Sequence, residues 1–197
     1  MQYAKDAIRQ RVLEIAKTEF LENGFERASV RVITAKAQTS KSNLYNYYSD
    51  KDALFCAVLA PTINQIQAGL ALAKQYNVAK EVDDYTLFSQ QYVIAAIYHF
   101  LVENVNDVRL LLFRTQGSSL ENYKYEVLDS FAENMMEWTA SIHSKRPVSQ
   151  LFVKTVCSFY LNMIEQLLRE EAHTDVTVFI REISDFIYHG WKGVLSD

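Results

Sequence analysis

Ser40, Lys41, Ser42 and Asn43 place four compact, hydrogen-bonding side chains in succession, one of them cationic. At the start of a short helix, such side chains suit a DNA major groove, about 12 Å wide, whose base edges and flanking phosphates lie within reach of short polar arms. Arg27, Arg31, Lys36, Lys41 and Lys51 surround the run with positive charge. Catalysis, the other chemistry to consider, lacks its parts. The sequence has no glycine-rich phosphate loop, no nucleophile elbow and no zinc-spaced group of Cys and His. Glu170 and His173 make one Glu-x-x-His, a unit that di-iron bundles need twice. No catalytic residue, metal or cofactor is therefore expected.

A short helix reaches a groove only if other elements hold it out. From Ala4 to Asn23 the apolar residues Ile8, Val12, Ile15, Ala16 and Phe20 recur at helical spacing, and Gly24 follows as a C-terminal cap. Ser29 can cap a second helix carrying Val30, Ile33 and Ala37. Gln38-Thr39 interrupts the pattern, and Ser40 can cap a third helix with Leu44, Tyr45 and Tyr48. Leu44 and Tyr48 should face a small core of Val12, Phe20, Val30 and Ile33, which turns Lys41, Ser42 and Asn43 outward. Two short helices joined by a tight turn are the parts of a helix-turn-helix. Ser49 is a candidate cap for a long fourth helix that starts near Lys51, with a kink expected between Ala57 and Pro61 and a hinge as one use for it.

Further helices are expected over Tyr85–Asn104, Val108–Thr115, Leu120–His143, Val148–Glu170 and Val176–Trp191, with a polar connector from Asn77 to Asp84. Five glycines and two prolines in 197 residues disfavour a turn-rich sheet protein, so the fold class is all-α with about nine helices. The last two helices carry more apolar surface than one buried stripe needs, which points to a homodimer seam within residues 148–191. The uncharged stretch Leu54–Ala73 has the length of a membrane helix, but Pro61, Gly69 and several amides interrupt it, and no membrane span or signal peptide is read. Cys56 and Cys157, far apart, fit a reducing cytoplasm. The net charge of −4 divides into +2 over residues 1–52 and −6 over the remainder. That split separates a basic head, residues 1–50, from an acidic body, residues 51–197.

The stretches Phe20-Leu21-Glu22-Asn23-Gly24-Phe25, Ser29-Val30-Arg31-Val32-Ile33 and Ser40 to Phe55, in that order and spacing, resemble the amino-terminal domain of the tetracycline-repressor (TetR) family of bacterial transcriptional regulators. The resemblance covers roughly the first 55 residues. It implies an all-helical homodimer with a DNA-binding head and a body that binds a small molecule. It further implies that Ser29 caps the second helix at a phosphate, that Arg31 lies beside it, and that Ser40, Lys41, Ser42 and Asn43 face bases or adjoining phosphates. Tyr45 and Tyr47 would give their hydroxyls to phosphates, and Lys51 would contact the backbone at the start of the fourth helix. The sequence departs from the family at Gln38, which replaces a glycine in the turn, and at Thr34, where alanine is usual. A side chain at position 38 costs about 1 kcal/mol if the backbone there is left-handed.

The family implies double-stranded operator DNA and a small-molecule effector as partners. Tyr92, His99, Phe113, Arg114, Trp138 and Phe159 are the pocket candidates, because mid-body aromatic rings beside polar groups suit a lipophilic or aromatic ligand. The alternative is a helical sensor or scaffold that acts through protein contacts, a reading left open by Gln38 and the small positive charge of the head.

Overall fold

A computed structural model describes residues 2–79, 91–141, 147–169 and 176–196. Among these residues there are nine helices and no strand: α1 (Gln2–Arg27), α2 (Val30–Lys36), α3 (Lys41–Tyr45), α4 (Lys51–Ala79), α5 (Gln91–Glu103), α6 (Val105–Phe113), α7 (Tyr123–Ser141), α8 (Gln150–Arg169) and α9 (Val176–Ser196). The all-α class is as expected. Several boundaries move. Helix α4 runs unbroken through Pro61 into the start of the supposed connector, and α9 outlasts Trp191 by more than a turn. Helix α6 begins before Val108 and ends before Thr115. The start expected for α5 near Tyr85, the end expected for α7 near His143, and the pair Glu170 and His173 lie outside the described residues.

The chain forms two compact units: Met1–Ile66 with Asn106–Lys124, and Gln67–Val105 with Tyr125–Asp197. In the first, the four-residue spacing of Val12, Ala16 and Phe20 gives α1 one inward face, and all three are buried with Ile33, Ala37, Leu44, Tyr48, Leu54, Phe55 and Leu59. Each large side chain so buried contributes about 1.5–3 kcal/mol. Phe55 meets Phe20 edge to face at 4.7 Å between centroids and Phe25 at 5.1 Å, which seats α4 against the end of α1. Val30, expected in this core, is only partly buried.

Gly24 does not simply end α1. Its φ of 73° and ψ of 166° bend the chain, after which one more turn reaches Arg27. That backbone region is essentially glycine's alone. The bend presents the Phe25 N–H to the carbonyl of Arg114 at 2.9 Å. A second tie is the buried Asp107 of α6, whose carboxylate takes the Lys17 ammonium at 2.7 Å and the Thr62 hydroxyl at 2.9 Å. A third is Asp52, which accepts the Ser119 N–H at 2.8 Å. Through these polar contacts α6 and the segment after it belong with α1 and α4.

In the second unit Ala132, Met135, Trp138, Val153, Cys157, Trp191 and Leu195 form a buried cluster. Trp138 and Trp191 pack edge to face at 5.4 Å, and the Trp191 indole donates to the Tyr160 hydroxyl at 2.7 Å. Burial pushes the Tyr160 phenol up to about 12 and the Cys157 thiol up to about 11. Leu151, Phe152 and Phe159 of α8 and Val178 and Phe186 of α9 are exposed, with the Phe159 and Phe186 rings tilted at 58° to each other and 5.7 Å apart. Lys51–Gln75 of α4 is long and apolar enough to cross a membrane by composition alone. In the first unit, burial of Leu54, Phe55, Val58 and Leu59 accounts for part of that apolarity.

Candidate nucleic-acid interface

Helix α2 starts where the sequence places its cap. Ser29 is extended, and its hydroxyl accepts the Val32 N–H at 3.4 Å. Its own N–H donates to Glu19 at 3.1 Å; this carboxylate is 4% exposed and also faces Lys36 at 3.9 Å. Thr34, buried where alanine was the family's choice, donates its hydroxyl to the carbonyls of Val30 at 3.0 Å and Arg31 at 3.1 Å, so its polarity is satisfied within the helix.

The turn after α2 is a Schellman motif. The Gln38 N–H bonds to Ala35 C=O at 3.2 Å and the Thr39 N–H to Thr34 C=O at 3.0 Å, with Gln38 at φ 53°. The left-handed conformation is thus kept without glycine. Ser40 then caps α3, accepting the Asn43 N–H at 3.0 Å. Leu44 is wholly buried and anchors the five-residue helix, while Lys41, Ser42 and Tyr45 are exposed and Arg31 is exposed on α2. The Lys41 ammonium lies 5.6 Å from the Tyr45 ring centroid. Asn43 is half-buried, with its amide donating to Thr39 at 2.8 Å, and Tyr47 is half-buried against Tyr48.

At the start of α4 the cap is Asp50 rather than Ser49. Its carboxylate accepts the Ala53 N–H at 2.7 Å, and Ser49 donates its hydroxyl to the same group at 3.1 Å. These two bonds, the backbone one first, hold the Asp50 carboxyl below its ordinary range. A carboxylate beats a hydroxyl here because the amide dipoles favour full negative charge. Lys51 turns back from this helix start. Its ammonium donates to the carbonyls of Glu26 at 3.0 Å and Ala28 at 3.4 Å and lies 4.6 Å from the Phe25 ring centroid.

The pocket candidates are spread over both units. Phe113, partly buried, and Arg114, exposed, belong to the first. Tyr92, His99, Trp138 and Phe159 belong to the second. There Trp138 sits in the core, Phe159 is exposed, and His99 is exposed and paired with Glu103 at 3.2 Å; of Tyr92 only its place on α5 is described. Sequence reading passed over Glu19, Arg9 and Asp107. Glu19 falls three residues after buried Ala16 and one before Phe20, on the inward face of α1, and that position was its signal. Arg9 donates to the Tyr48 hydroxyl at 3.4 Å, a contact with no sequence signature.

A capped short helix pair, a buried anchor in the second helix and exposed Lys41, Ser42 and Tyr45 define a helix-turn-helix head carried by a larger helical chain. Residues 12–58 match the bacterial regulatory proteins of the tetR family. The HTH-type transcriptional repressor DhaR of Mycobacterium sp. (strain GP1) is 33% identical over 64 residues, which is 32% of this chain and 32% of that relative. The match thus spans about a third of the curated relative's length. Among solved structures, NalD of Pseudomonas aeruginosa, secondary repressor of the MexAB-OprM multidrug efflux pump, superposes with a TM-score of 0.70 at 16% identity, covering 94% of this chain and 97% of that one. The regulator FadR of Bacillus subtilis, solved with stearoyl-CoA, gives a TM-score of 0.64 at 12% identity over 92% and 98%. A TetR-like regulator from Rhodococcus sp. RHA1 gives 0.66 at 19% over 96% and 97%. Over residues 12–58 the chain is thus similar to the bacterial regulatory proteins of the tetR family, and over most of its length it shares the fold of these solved structures.

Proposed function

We propose that this chain is a ligand-responsive transcriptional repressor that binds a palindromic operator as a homodimer and leaves it when a small lipophilic or aromatic effector binds. The observation that carries the DNA part is α3: Leu44 and the Ser40 cap fix it while Lys41, Ser42 and Tyr45 stand in solvent. Ser29, Arg31, Ser40, Lys41, Ser42, Asn43, Tyr45, Tyr47 and Lys51 form the proposed contact surface. Asn43 would give up its bond to Thr39 on meeting a base edge.

The seam lies within residues 148–191. Exposed Leu151, Phe152 and Phe186 support it, because a second copy of the same face would remove them from water. Two heads would then meet half-sites about 34–36 Å apart. Tyr92, His99, Phe113, Arg114, Trp138 and Phe159 remain the proposed effector residues. The lipophilic class is supported by the names of two fold relatives, one a repressor of a multidrug pump and the other holding a fatty acyl-CoA. The protein works in the cytoplasm, where its operator is.

Release follows if the effector prefers a conformer that fits DNA poorly, and reciprocity then requires DNA to weaken the effector. Helix α4, which contributes residues to both compact units, is the proposed carrier of that change, with Pro61 as its hinge. The test is a gel shift with DNA from upstream of the gene, over a range of salt. The repressor reading expects steep salt sensitivity. Lys41→Ala and Tyr45→Phe should each weaken binding while gel filtration shows an unchanged dimer. Full affinity in both variants removes the assignment of α3, and equal effector affinity with and without DNA removes the induction scheme.

A further inference from the structure

Asn43 lies on α3 between exposed Ser42 and buried Leu44, and its side chain is already engaged. Its amide nitrogen donates to the Thr39 hydroxyl oxygen at 2.8 Å, and both residues are half-buried. The backbone holds both ends of this bond. Ser40 accepts the Asn43 N–H at 3.0 Å, and the Thr39 N–H is bonded to Thr34 C=O at 3.0 Å. For Asn43 to change partner, rotation about its own side-chain bonds is therefore enough, and the turn stays as it is.

In a major groove a side-chain amide matches adenine, its oxygen accepting from N6 and its nitrogen donating to N7. Thymine at the same place presents a methyl group and one acceptor, and the pair is lost. An amide left without partners in a closed interface lowers affinity by about fivefold or more. Thr39 removes that penalty, because the amide returns to the hydroxyl wherever the base does not match it. We propose that Thr39 sets the tolerance of operator recognition: by giving Asn43 a second partner, it lets the protein prefer adenine at one base pair of each half-site and still accept other bases there. It is a positioning residue that acts through Asn43. This rests on the repressor reading above and deepens it.

The consequence is that loss of the hydroxyl sharpens recognition, whereas a bond that held Asn43 in its reading pose would blur recognition when lost. The experiment uses the full chain and a duplex recovered by selection from random sequences with the wild-type protein. Asn43→Ala identifies the base pair at which preference disappears, which should be an adenine. That adenine is then replaced by thymine in one half-site, and Kd is measured by gel shift on both duplexes. In Thr39→Val, which keeps the branched shape, the ratio of mismatched to matched Kd should rise about fivefold over the wild type. Thr39→Ala should do the same, and ratios at the other base pairs should keep their wild-type values. In the Asn43→Ala background Thr39→Val should leave the ratio unchanged, because the effect needs the amide. A ratio that stays or falls in both Thr39 variants, a rise that persists without Asn43, or an Asn43→Ala variant with wild-type preferences overturns the proposal. If the wild type selects no duplex, the repressor reading fails and takes this proposal with it; a selected duplex with an unchanged ratio removes the proposal alone.

Discussion

Replacing Gln38 with glycine should strengthen the turn that separates the two short helices. Gln38 has φ 53°, where a side chain costs an L-residue about 1–2 kcal/mol. Glycine removes that strain but gives the unfolded chain more freedom, which takes back about 0.5–1 kcal/mol. The glutamine side chain is exposed, so its loss removes no buried contact. The net gain is about 0.5–1 kcal/mol. Because Trp138 and Trp191 both belong to the second unit, tryptophan fluorescence reports poorly on this change. The better probe is exchange of the Thr39 amide, which is bonded to Thr34 C=O across the turn. A gain of that size slows exchange through local opening about two- to fivefold. Gln38→Ala, still left-handed and still carrying a Cβ, should stay near the wild type. If Thr39 exchanges no more slowly in Gln38→Gly, or if Gln38→Ala matches the glycine variant, the strain at this position has been misjudged.

Three other outcomes follow from the same structure. Gly24→Ala should cost about 1–3 kcal/mol in urea unfolding, because φ 73° with ψ 166° excludes a Cβ, although the added atom meets Arg114 only at ordinary distances, 3.8 Å from its Cδ and 3.9 Å from its carbonyl oxygen; a change below about 0.5 kcal/mol contradicts this. Asp107→Ala should cost about 2 kcal/mol by removing the acceptor of the Thr62 hydroxyl and the partner of the Lys17 ammonium, and Asp107→Asn, which still accepts from Thr62, should cost less; equal losses would mean that the bond to Thr62 and the side chain's shape contribute nothing there. Raised pKa values at Cys157 and Tyr160 mean that the folded state holds these protons more tightly than the unfolded one. Their stabilisation is complete below pH 9.0 and is lost as pH rises through about 11 for the thiol and about 12 for the phenol. Urea midpoints followed by tryptophan fluorescence should therefore fall over that range, and less so in Cys157→Ala; a flat midpoint refutes the burial argument.

Local rules were legible where the cause is local. Ser29 and Ser40 cap because a hydroxyl before an apolar helical run has an unpaired amide within reach, and both act as the sequence suggests. At Ser49 the same rule failed by one residue, since the adjacent carboxylate of Asp50 competes better for the helix dipole. The end of α4 was misplaced because Asn77 is polar, and a long helix already under way continues through a polar residue at little cost.

The sequence alone determined that the chain is helical, that its first part carries a helix-turn-helix and that α3 turns Lys41 and Ser42 outward. These follow from periodicity, caps and the scarcity of glycine and proline, all of which act within a few residues. Only the tertiary structure decided that α6 returns to the first unit through Asp107, that Glu19 is buried beneath Ser29, and that Lys51 reaches back to Glu26 and Ala28. Each of these joins residues from 10 to 90 positions apart. A charged side chain takes whichever partner packing brings near, and no spacing rule along the chain records that choice.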